Sequence, residues 1–350
     1  MSLSFTHETL PQRVVFGASS SGASSSGAAS VVAAEVARLG SRPLVIASDR
    51  SPVVLPDAPR YSEVVMHVPV EVAERARKAA DGFDVLVSVG GGSATGLAKA
   101  VALTTGLPIV AVPTTYAGSE ATPVWGMTEN GRKTTGVDHR VLPRTVVYDA
   151  GLTLSLPVEL SVASGLNALA HSVEAMWAPN TDPINQALAL ESIRALRTGL
   201  PRIVRDPDEL AGREQTLFGA HLAAVAFASA GSGLHHKICH ALGGMFNLPH
   251  AQTHAVVLPY VMAFNVVDLP AVSDRLAQAF GAASAITGLQ LLYAETAAPH
   301  ALRDLGLRES DIPAVVGAVL PAVPPSNPVT VTSENLSELL RRAWAGEEPR

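Results

Sequence analysis

Five of the eleven histidines in the chain fall within a stretch of twenty residues, namely His235, His236, His240, His250 and His254. Another, His171, lies upstream in the segment SGLNALAHSVEA. Three pairs stand four residues apart: Asn167 and His171, His236 and His240, and His250 and His254. Residues spaced in this way share one face of a helix, and imidazoles exchange protons near neutral pH. The pattern predicts two or three helices that direct imidazoles into a single cleft.

A glycine-rich turn stands between a predicted buried strand and a predicted helix. The strand, residues 85–89, ends in Gly90, Gly91, Gly92 and Ser93, and the helical segment ATGLAKAVAL follows at once. Glycines let a backbone approach a pyrophosphate closely, and the N-terminus of the next helix stabilises its negative charge. The order of strand, glycines and helix predicts a dinucleotide-binding turn without the G-x-G-x-x-G pattern of an ordinary Rossmann dehydrogenase. A tight turn that binds no ligand is the alternative.

Two other strand ends carry polar residues that could contact the same cofactor. In the segment PTTYAGSE, the hydroxyl residues Thr114, Thr115 and Ser119 are predicted to lie beside the phosphates. Asp49 follows the second strand, where a carboxylate can accept hydrogen bonds from an adenosine ribose and so favours NADH over NADPH. A turn or helix-cap role for Asp49, ahead of Pro52, is equally compatible.

The first half of the chain alternates β-branched runs with helical patterns, which is typical of a parallel sheet with crossover helices. The predicted strands cover residues 13–16, 43–47, 64–68, 85–89, 109–112 and 145–148. The predicted helices cover residues 28–39, 70–80 and 93–105. Residues 124–142 are predicted to form a hairpin or a long loop. The repeats at 17–30 are interpreted as a loop and helix start, with a linker as the alternative.

Beyond residue 155 the apolar spacing becomes helical almost throughout. The predicted helices cover residues 161–177, 183–198, 207–229, 235–245, 250–265, 272–280 and 333–345. The chain is therefore predicted to contain a Rossmann-like α/β dinucleotide-binding domain over residues 1–155 and an all-α catalytic domain over residues 156–350.

Composition narrows the class of protein and its partners. Hydrophobic residues make up 47% of the chain and charged residues 16%, which indicates a globular protein. The net charge of -6 is spread along the sequence without a basic stripe, which argues against a nucleic-acid partner. Neither a signal peptide nor a long apolar run is present, so we expect a cytoplasmic protein without a membrane span. Cys239, the only cysteine, is interpreted as a small buried hydrophobic residue.

Four segments together resemble the maleylacetate reductases of the iron-containing alcohol dehydrogenase superfamily. They are GGGSATGLAKAVAL, PTTYAGSEATPVWGMTE, SGLNALAHSVEA and GLHHKICHALGGMFNLPHAQTHAVVLP. The resemblance spans essentially the whole chain and implies the dehydroquinate synthase-like fold of that superfamily. It also implies a homodimer that uses NADH or NADPH to reduce the carbon–carbon double bond of 2-maleylacetate to 3-oxoadipate, a step in the degradation of aromatic compounds.

The resemblance further implies where a metal ion would bind in the wider superfamily. There, one aspartate and three histidines hold a divalent ion, and the matching residues here are Asn167, His171, His236 and His250. An amide in place of the carboxylate removes the only anionic ligand, which should lower metal affinity. Reduction of an electron-poor double bond needs a hydride, a proton and stabilisation of an enolate. We therefore expect that no metal is required.

The roles of single residues are expectations of the same kind. His236, His240 or His250 is predicted to donate the proton, and the sequence does not rank them. The other imidazoles and Asn167 are predicted to bind carboxylate or enolate oxygens of the small dicarboxylate substrate. Lys237 and the Tyr116 hydroxyl are predicted to add cationic or polar contacts. For Lys237, a plain surface lysine is an equally compatible interpretation.

Three other functions are compatible with these patterns. A metal-dependent alcohol or lactaldehyde dehydrogenase would use Zn or Fe in the same cleft. A dehydroquinate-synthase-like lyase would use NAD transiently and release it unchanged. A nucleotide-binding protein without catalytic activity is the third, because a fold does not guarantee a function.

Overall fold

The computed structural model describes residues 4–17, 26–52, 54–129 and 132–349. The chain divides into two compact units: Leu10–Pro157, here called the α/β unit, and Val158–Arg350 with the chain start up to Thr9, here called the helical unit. The chain start was predicted to belong to the α/β domain. It groups with the helical unit because His7 Nδ1 lies 2.7 Å from Asp182 Oδ2. Of the repeats at 17–30, residues 18–25 lie outside the described part.

Eight strands are described in the α/β unit. They are β1 (Arg13–Phe16), β2 (Pro43–Ile46), β3 (Arg60–Tyr61), β4 (Val85–Gly90), β5 (Ile109–Pro113), β6 (Val124–Glu129), β7 (Arg132–Val137) and β8 (Thr145–Tyr148). Six of them form a parallel sheet in the order β1-β8-β5-β4-β2-β3. Strands β6 and β7 pair antiparallel, which confirms the predicted hairpin.

Three helices accompany this sheet: α1 (Ser26–Ala37), α2 (Val70–Ala79) and α3 (Gly92–Thr105). Apolar α1 residues such as Val32 pack with sheet valines such as Val87 and Val110, and all three are fully buried. Val87 and Val110 are register partners on neighbouring strands, so they lie on the same face. Strands β4 and β5 are buried along their whole length, as expected for strands at the centre of a parallel sheet.

The predicted strand at residues 64–68 is wrong. The strand in this region is β3, two residues long, which pairs with Val45 and Ile46 at the edge of the sheet. His67 and Val68 have φ angles of 62° and 48°, in the left-handed region that is incompatible with an extended strand. Met66 is 72% exposed. The apolar run therefore forms a turn. A strand was predicted there because the run contains β-branched residues, which favour strands.

The helical unit contains nine described α-helices. They are α4 (Val158–Ala175), α5 (Pro183–Arg205), α6 (Leu210–Ala230), α7 (Leu234–Phe246), α8 (His250–Val266), α9 (Pro270–Phe280), α10 (Ala285–Thr296), α11 (Ile312–Val319) and α12 (Ser333–Ala345). The seven predicted helices are present, and α10 and α11 were missed. Helix α5 continues past its predicted end and through Pro201, because Leu200 and Ile203 on the same turn are fully buried.

Two packing features matter for the site. Helix α4 is buried along almost its whole length and packs against α5, α6 and α8. Helices α7 and α8 share an apolar core with α11 and α12, to which Leu234, Ile238 and Leu242 contribute. Helices α4, α7 and α8 are thus held rigidly from several sides.

No single described helix is long and apolar enough to span a membrane; only α6 and α7 taken together, across a bend of 100°, meet those two criteria.

Candidate active site

The glycine turn after β4 forms an open cradle at the N-terminus of α3. Gly91 is the residue that caps α3, and no side chain supplies a hydrogen bond to this helix end. The backbone N–H of Thr114 donates to Gly90 O at 3.1 Å, which ties the end of β5 to the turn. A Cβ atom on Gly91 would lie 2.9 Å from Thr115 Cγ2. The two predicted phosphate-binding segments therefore lie against each other, too close for a side chain on Gly91.

The order of the strands places this cradle at a switch point of the sheet. The chain leaving β2 continues to β3 on one side, whereas the chain leaving β4 continues to β5 on the other. Ligands of doubly wound sheets bind in the crevice outside the strand ends at such a point. The topology therefore supports a nucleotide site at Gly90, Gly91, Gly92 and Ser93.

Asp49 lies at the same edge of the sheet, in an exposed turn after β2. The turn is closed by a hydrogen bond from Ser51 N to Ser48 O at 2.9 Å. Ser51 Oγ would lie 3.7 Å from a Cβ on Gly90, so the turn borders the glycine cradle. Asp49 is thus a turn residue, and its predicted contact with a ribose stays a prediction.

Lys99 of α3, which the sequence analysis missed, anchors the loop that carries Ser119. Its ammonium group is fully buried and donates to Ser119 O at 2.6 Å, Thr122 O at 2.7 Å and Val124 O at 2.8 Å. Burial lowers the pKa of Lys99 to about 7, and the charge of Glu120 raises it. Three carbonyl acceptors match the three donors of an ammonium group. The buried ammonium group of Lys99 therefore holds Ser119 in position through the backbone carbonyl of Ser119.

Replacing Lys99 with methionine should destabilise the α/β unit. Three carbonyls would lose their donor, and one unsatisfied buried acceptor costs about 1–3 kcal/mol. We expect the free energy of unfolding to fall by about 2–4 kcal/mol, measured by urea denaturation. Lys78→Met, on the exposed face of α2, is the matched control. A loss below about 1 kcal/mol for Lys99→Met would show that the loop does not depend on this ammonium group.

Tyr116 is more deeply buried than we expected for a residue predicted to contact the substrate. Its side chain is fully buried, and its hydroxyl lies 3.5 Å from Thr153 Oγ1, which donates to Ala150 O at 2.8 Å. Tyr116 therefore packs inside the α/β unit. Its predicted contact with substrate gains no support from this geometry and stays a prediction.

In the helical unit, helices α4, α7 and α8 bring the imidazoles together. The His171 and His236 rings stack with centroids 5.1 Å apart, and His254 lies 5.0 Å from His236. His240 lies 5.9 Å from His236, and His250 lies 4.4 Å from His254. The spacing of four residues along each helix thus produces one continuous cluster from three helices, here called the imidazole cluster.

The imidazole cluster is buried at one end and open at the other. His235 and His254 are at most 1% exposed and share a hydrogen bond of 2.9 Å between Nε2 and Nδ1. His240 and His250 are exposed. His236 and His171, at 2% and 8%, lie between these limits. Small molecules would reach the cluster from the side of His240 and His250, whereas His235 and His254 form part of the core.

Burial also sets the charge of the inner imidazoles. Together with the neighbouring His236, it lowers the pKa of His235 to about 3. Burial and neighbouring histidines lower the pKa of His171, His236 and His254 well below the usual value of an imidazole. These rings are therefore neutral at pH 7 in the absence of an anion. A bound dianion would favour their protonated form, since opposite charge stabilises an imidazolium.

Asn167 and the imidazole cluster contain five buried polar atoms without a hydrogen-bond partner among the described residues: Asn167 Oδ1, His171 Nδ1, His235 Nδ1, His236 Nε2 and His254 Nε2. Buried polar groups are nearly always hydrogen-bonded, so an unpartnered group calls for an explanation. Asn167, His171 and His236 stand at three of the four positions that the resemblance implies for the superfamily's metal, and their unpartnered atoms are available to a polar ligand.

The side chains present differ from the set that holds the superfamily's divalent ion. Imidazole nitrogens lie about 2.0–2.1 Å from a bound Zn, so two of them cannot be more than about 4.2 Å apart. Among the described residues, the three ligand atoms from His, Cys, Asp or Glu that come within 4.8 Å of one another belong to His235, Cys239 and His254. His171, His236 and His250 form no such group, and Asn167 adds no charge. The buried trio holds together by its own hydrogen bonds, and Cys239 is free and buried as expected.

Lys237 lies at the rim of the cluster rather than on open surface. It is partly buried, and its Nζ donates to Ser232 Oγ at 3.1 Å. Its predicted role in binding a carboxylate stays a prediction.

Two side chains of the site were missed in the sequence. Phe227 of α6 stacks on the His236 and His171 rings with centroids 4.4 and 4.8 Å apart. Glu174, 1% exposed, contacts His236 Nδ1. Asn167, His171 and Glu174 stand at positions i, i+4 and i+7 of α4, so helical spacing could have revealed Glu174. No pattern indicated Phe227.

Comparison with known proteins shows to which family this chain belongs. Residues 11–150 match the family model described as iron-containing alcohol dehydrogenase, and residues 161–344 match that of the Fe-containing alcohol dehydrogenase family, C-terminal. A maleylacetate reductase from Sphingobium indicum is 43% identical over 99% of both chains.

Solved structures agree with that assignment. An iron-containing alcohol dehydrogenase from Corynebacterium glutamicum superposes with a TM-score of 0.95 and 56% identity, covering 100% of this chain and 99% of the other. A maleylacetate reductase from Rhizobium sp. gives a TM-score of 0.91 and 42% identity over 99% of both chains. These matches confirm the predicted fold class and the predicted resemblance. The chain belongs to the iron-containing alcohol dehydrogenase family of oxidoreductases, as a relative of its maleylacetate reductases.

Proposed function

We propose that this chain reduces the carbon–carbon double bond of 2-maleylacetate to 3-oxoadipate with NADH or NADPH. The observation that carries the proposal is that His171 and His236 each present a buried ring nitrogen without a partner. Once these rings are protonated, which a bound anion favours, the two nitrogens can donate charge-assisted hydrogen bonds to a negatively charged ligand. The named maleylacetate reductases, 40–43% identical over nearly the full length, support the same substrate.

The chemistry divides into a hydride and a proton. A bound dihydronicotinamide would supply a hydride from its C4 to one carbon of the double bond and would be oxidised, and an enolate conjugated through the ketone would remain. A proton would then add to the neighbouring carbon. Because the enolate and both carboxylates are anionic, protonated imidazoles and the amide N–H groups of Asn167 can stabilise them.

The α/β unit would supply the cofactor site. The backbone of Gly91, Gly92 and Ser93 at the N-terminus of α3 would hold the pyrophosphate, and Thr114 and Thr115 would lie beside it. Asp49 would accept hydrogen bonds from the adenosine ribose, which favours NADH.

We also propose that the reaction needs no divalent ion. The support is the difference described above: an amide stands at the position of the superfamily's carboxylate ligand, and His171, His236 and His250 are not among the described groups of close metal-ligating atoms. The homodimer, the cytoplasmic location and the lack of nucleic-acid or membrane partners stay predictions.

Isotope transfer tests the proposed reaction. With NADH deuterated at the transferred position of C4, we expect one deuterium at a single carbon of the former double bond of 3-oxoadipate, detected by NMR. In D₂O with ordinary NADH, deuterium should instead appear at the neighbouring carbon. Deuterium on the carbon that bears the ketone oxygen would contradict the proposal, because it would mean carbonyl reduction, as in an alcohol dehydrogenase.

A further inference from the structure

Glu174 connects helix α4 to the first turn of α7. It is 1% exposed, and its Oε1 accepts a hydrogen bond from the backbone N–H of His235 at 2.7 Å. Its Oε2 contacts His236 Nδ1. Gly233, which caps α7, provides no side-chain acceptor, and a Cβ on Gly233 would lie 2.9 Å from Glu174 Oε1. A glycine is therefore needed for this carboxylate to reach the helix end.

Backbone N–H groups at the start of α7 surround the buried Glu174 carboxyl. Burial raises the pKa of this carboxyl, and hydrogen bonds from the backbone N–H groups of Gly233, His235 and His236 oppose that rise. The positive end of the α7 dipole acts in the same direction. Glu174 therefore acts at this helix end as a buried acceptor.

A carboxylate accepts hydrogen bonds and donates none, which fixes the hydrogen of His236. The hydrogen shared with Glu174 must sit on His236 Nδ1, so in the neutral ring Nε2 carries the lone pair. Nε2 is the atom without a partner in the described structure. Phe227 and His171 stack on the ring and hold its plane. Orientation and tautomer are thus both determined.

We propose that Glu174 is a positioning residue that fixes the orientation and the tautomer of His236, so that this imidazole meets the substrate only through Nε2. The inference rests on the proposed function for its substrate, and its geometry stands independently of that substrate. Any hydrogen that His236 exchanges during the reaction passes through Nε2, while Nδ1 stays bound to the carboxylate. Carboxylate partners of this kind set imidazole tautomers in metal sites and catalytic triads.

The substitution Glu174→Gln tests this role because it preserves shape and reverses one hydrogen bond. The amide oxygen can still accept from the His235 N–H, but the amide nitrogen donates to His236 Nδ1. The neutral ring must then carry its hydrogen on Nε2. We expect kcat for maleylacetate to fall about 10–100-fold, as for other partners of functional imidazoles, with KM for NADH unchanged and the far-UV circular dichroism retained.

The tautomer itself is measured by ¹⁵N NMR of protein labelled at histidine, with the His236 signals assigned from their loss in His236→Gln. In the wild type we expect the hydrogen on Nδ1, and in Glu174→Gln on Nε2. A wild-type ring with its hydrogen on Nε2 overturns the inference, even if Glu174→Gln fails to fold. Unchanged kcat in a folded Glu174→Gln protein overturns it as well.

Two controls separate positioning from stability and from the proposed reaction. Glu35→Gln neutralises another buried carboxylate, which pairs with Arg13 in the α/β unit, and should leave kcat unchanged. Added to His236→Gln, Glu174→Gln should cause no further loss of kcat, because it acts through that ring; additive losses would count against the inference. If the wild type does not reduce maleylacetate, the proposed function fails, while the NMR result still decides the role of Glu174.

Discussion

Replacing His236 with glutamine is expected to lower kcat for maleylacetate by about 10²–10⁴-fold, the usual contribution of a positioned proton-transfer group. His236 has the strongest geometric case among the three proton-donor candidates. It combines an unpartnered Nε2, ring contacts with His171 and Phe227, and a carboxylate on Nδ1. His240 and His250 are more exposed and lie at the open end of the cluster, where binding of substrate carboxylates is the expected role.

The measurement is steady-state oxidation of NADH by the variant, with circular dichroism to verify folding. His139→Gln, on the exposed surface of the α/β unit, is the matched control and should retain full activity. Substitution of His240 or His250 should raise KM for maleylacetate more than it lowers kcat. A His236→Gln protein with kcat within about threefold of the wild type would move the proton-donor role to His240 or His250.

Replacing Gly91 with alanine is expected to raise the Kd for NADH at least about tenfold, or about 1.4 kcal/mol. The new Cβ would lie 2.9 Å from Thr115 Cγ2 and 3.0 Å from Thr115 Oγ1. The backbone of Gly91 has a φ of −84°, which alanine adopts without strain, so the effect is steric. Binding is measured by quenching or enhancement of NADH fluorescence.

The double variant Gly91→Ala with Thr115→Ala separates two causes of this loss. Removing the Thr115 side chain relieves the clash inside the protein but leaves the Cβ at the place proposed for the pyrophosphate. If affinity stays low relative to Thr115→Ala alone, the cofactor itself meets the Cβ, as the cradle requires. If the double variant bound NADH as tightly as Thr115→Ala alone, or if Gly91→Ala lost no affinity for NADH, a pyrophosphate bound against Gly91 would be contradicted.

Much of the fold follows from local pattern. The central strands β4 and β5 were predicted because short, continuous apolar runs that end in turn residues are typical of buried strands. The failure at residues 64–68 shows the limit of that argument, since Val65 and Met66 are apolar but exposed. Helix α11 was missed because it has only eight residues, too few for its apolar spacing to repeat. Local pattern cannot show which apolar residues the tertiary structure will leave exposed.

The site divides in a similar way. Histidine spacing on three helices was sufficient to predict the imidazole cluster, because residues four apart share a face in any helix. The inner partners were not predictable, since the contact of Glu174 with His236 joins α4 to α7 and depends on how those helices pack. The same holds for Lys99, whose acceptors lie in a loop that follows the next strand. Glu174 and Lys99 have fixed hydrogen-bond partners because the tertiary structure buries them, and a sequence pattern does not show that burial.

We propose that NADH or NADPH reduces a conjugated double bond beside an imidazole cluster that holds no metal ion. The most direct test follows the absorbance of NADH after addition of freshly prepared maleylacetate to protein purified without added metal, with and without EDTA. We expect rapid NADH oxidation at the same rate in both samples, and less than one bound metal ion per chain at full activity. Activity that EDTA abolishes and Zn or Fe restores, or oxidation of small alcohols by NAD in place of maleylacetate reduction, would contradict it.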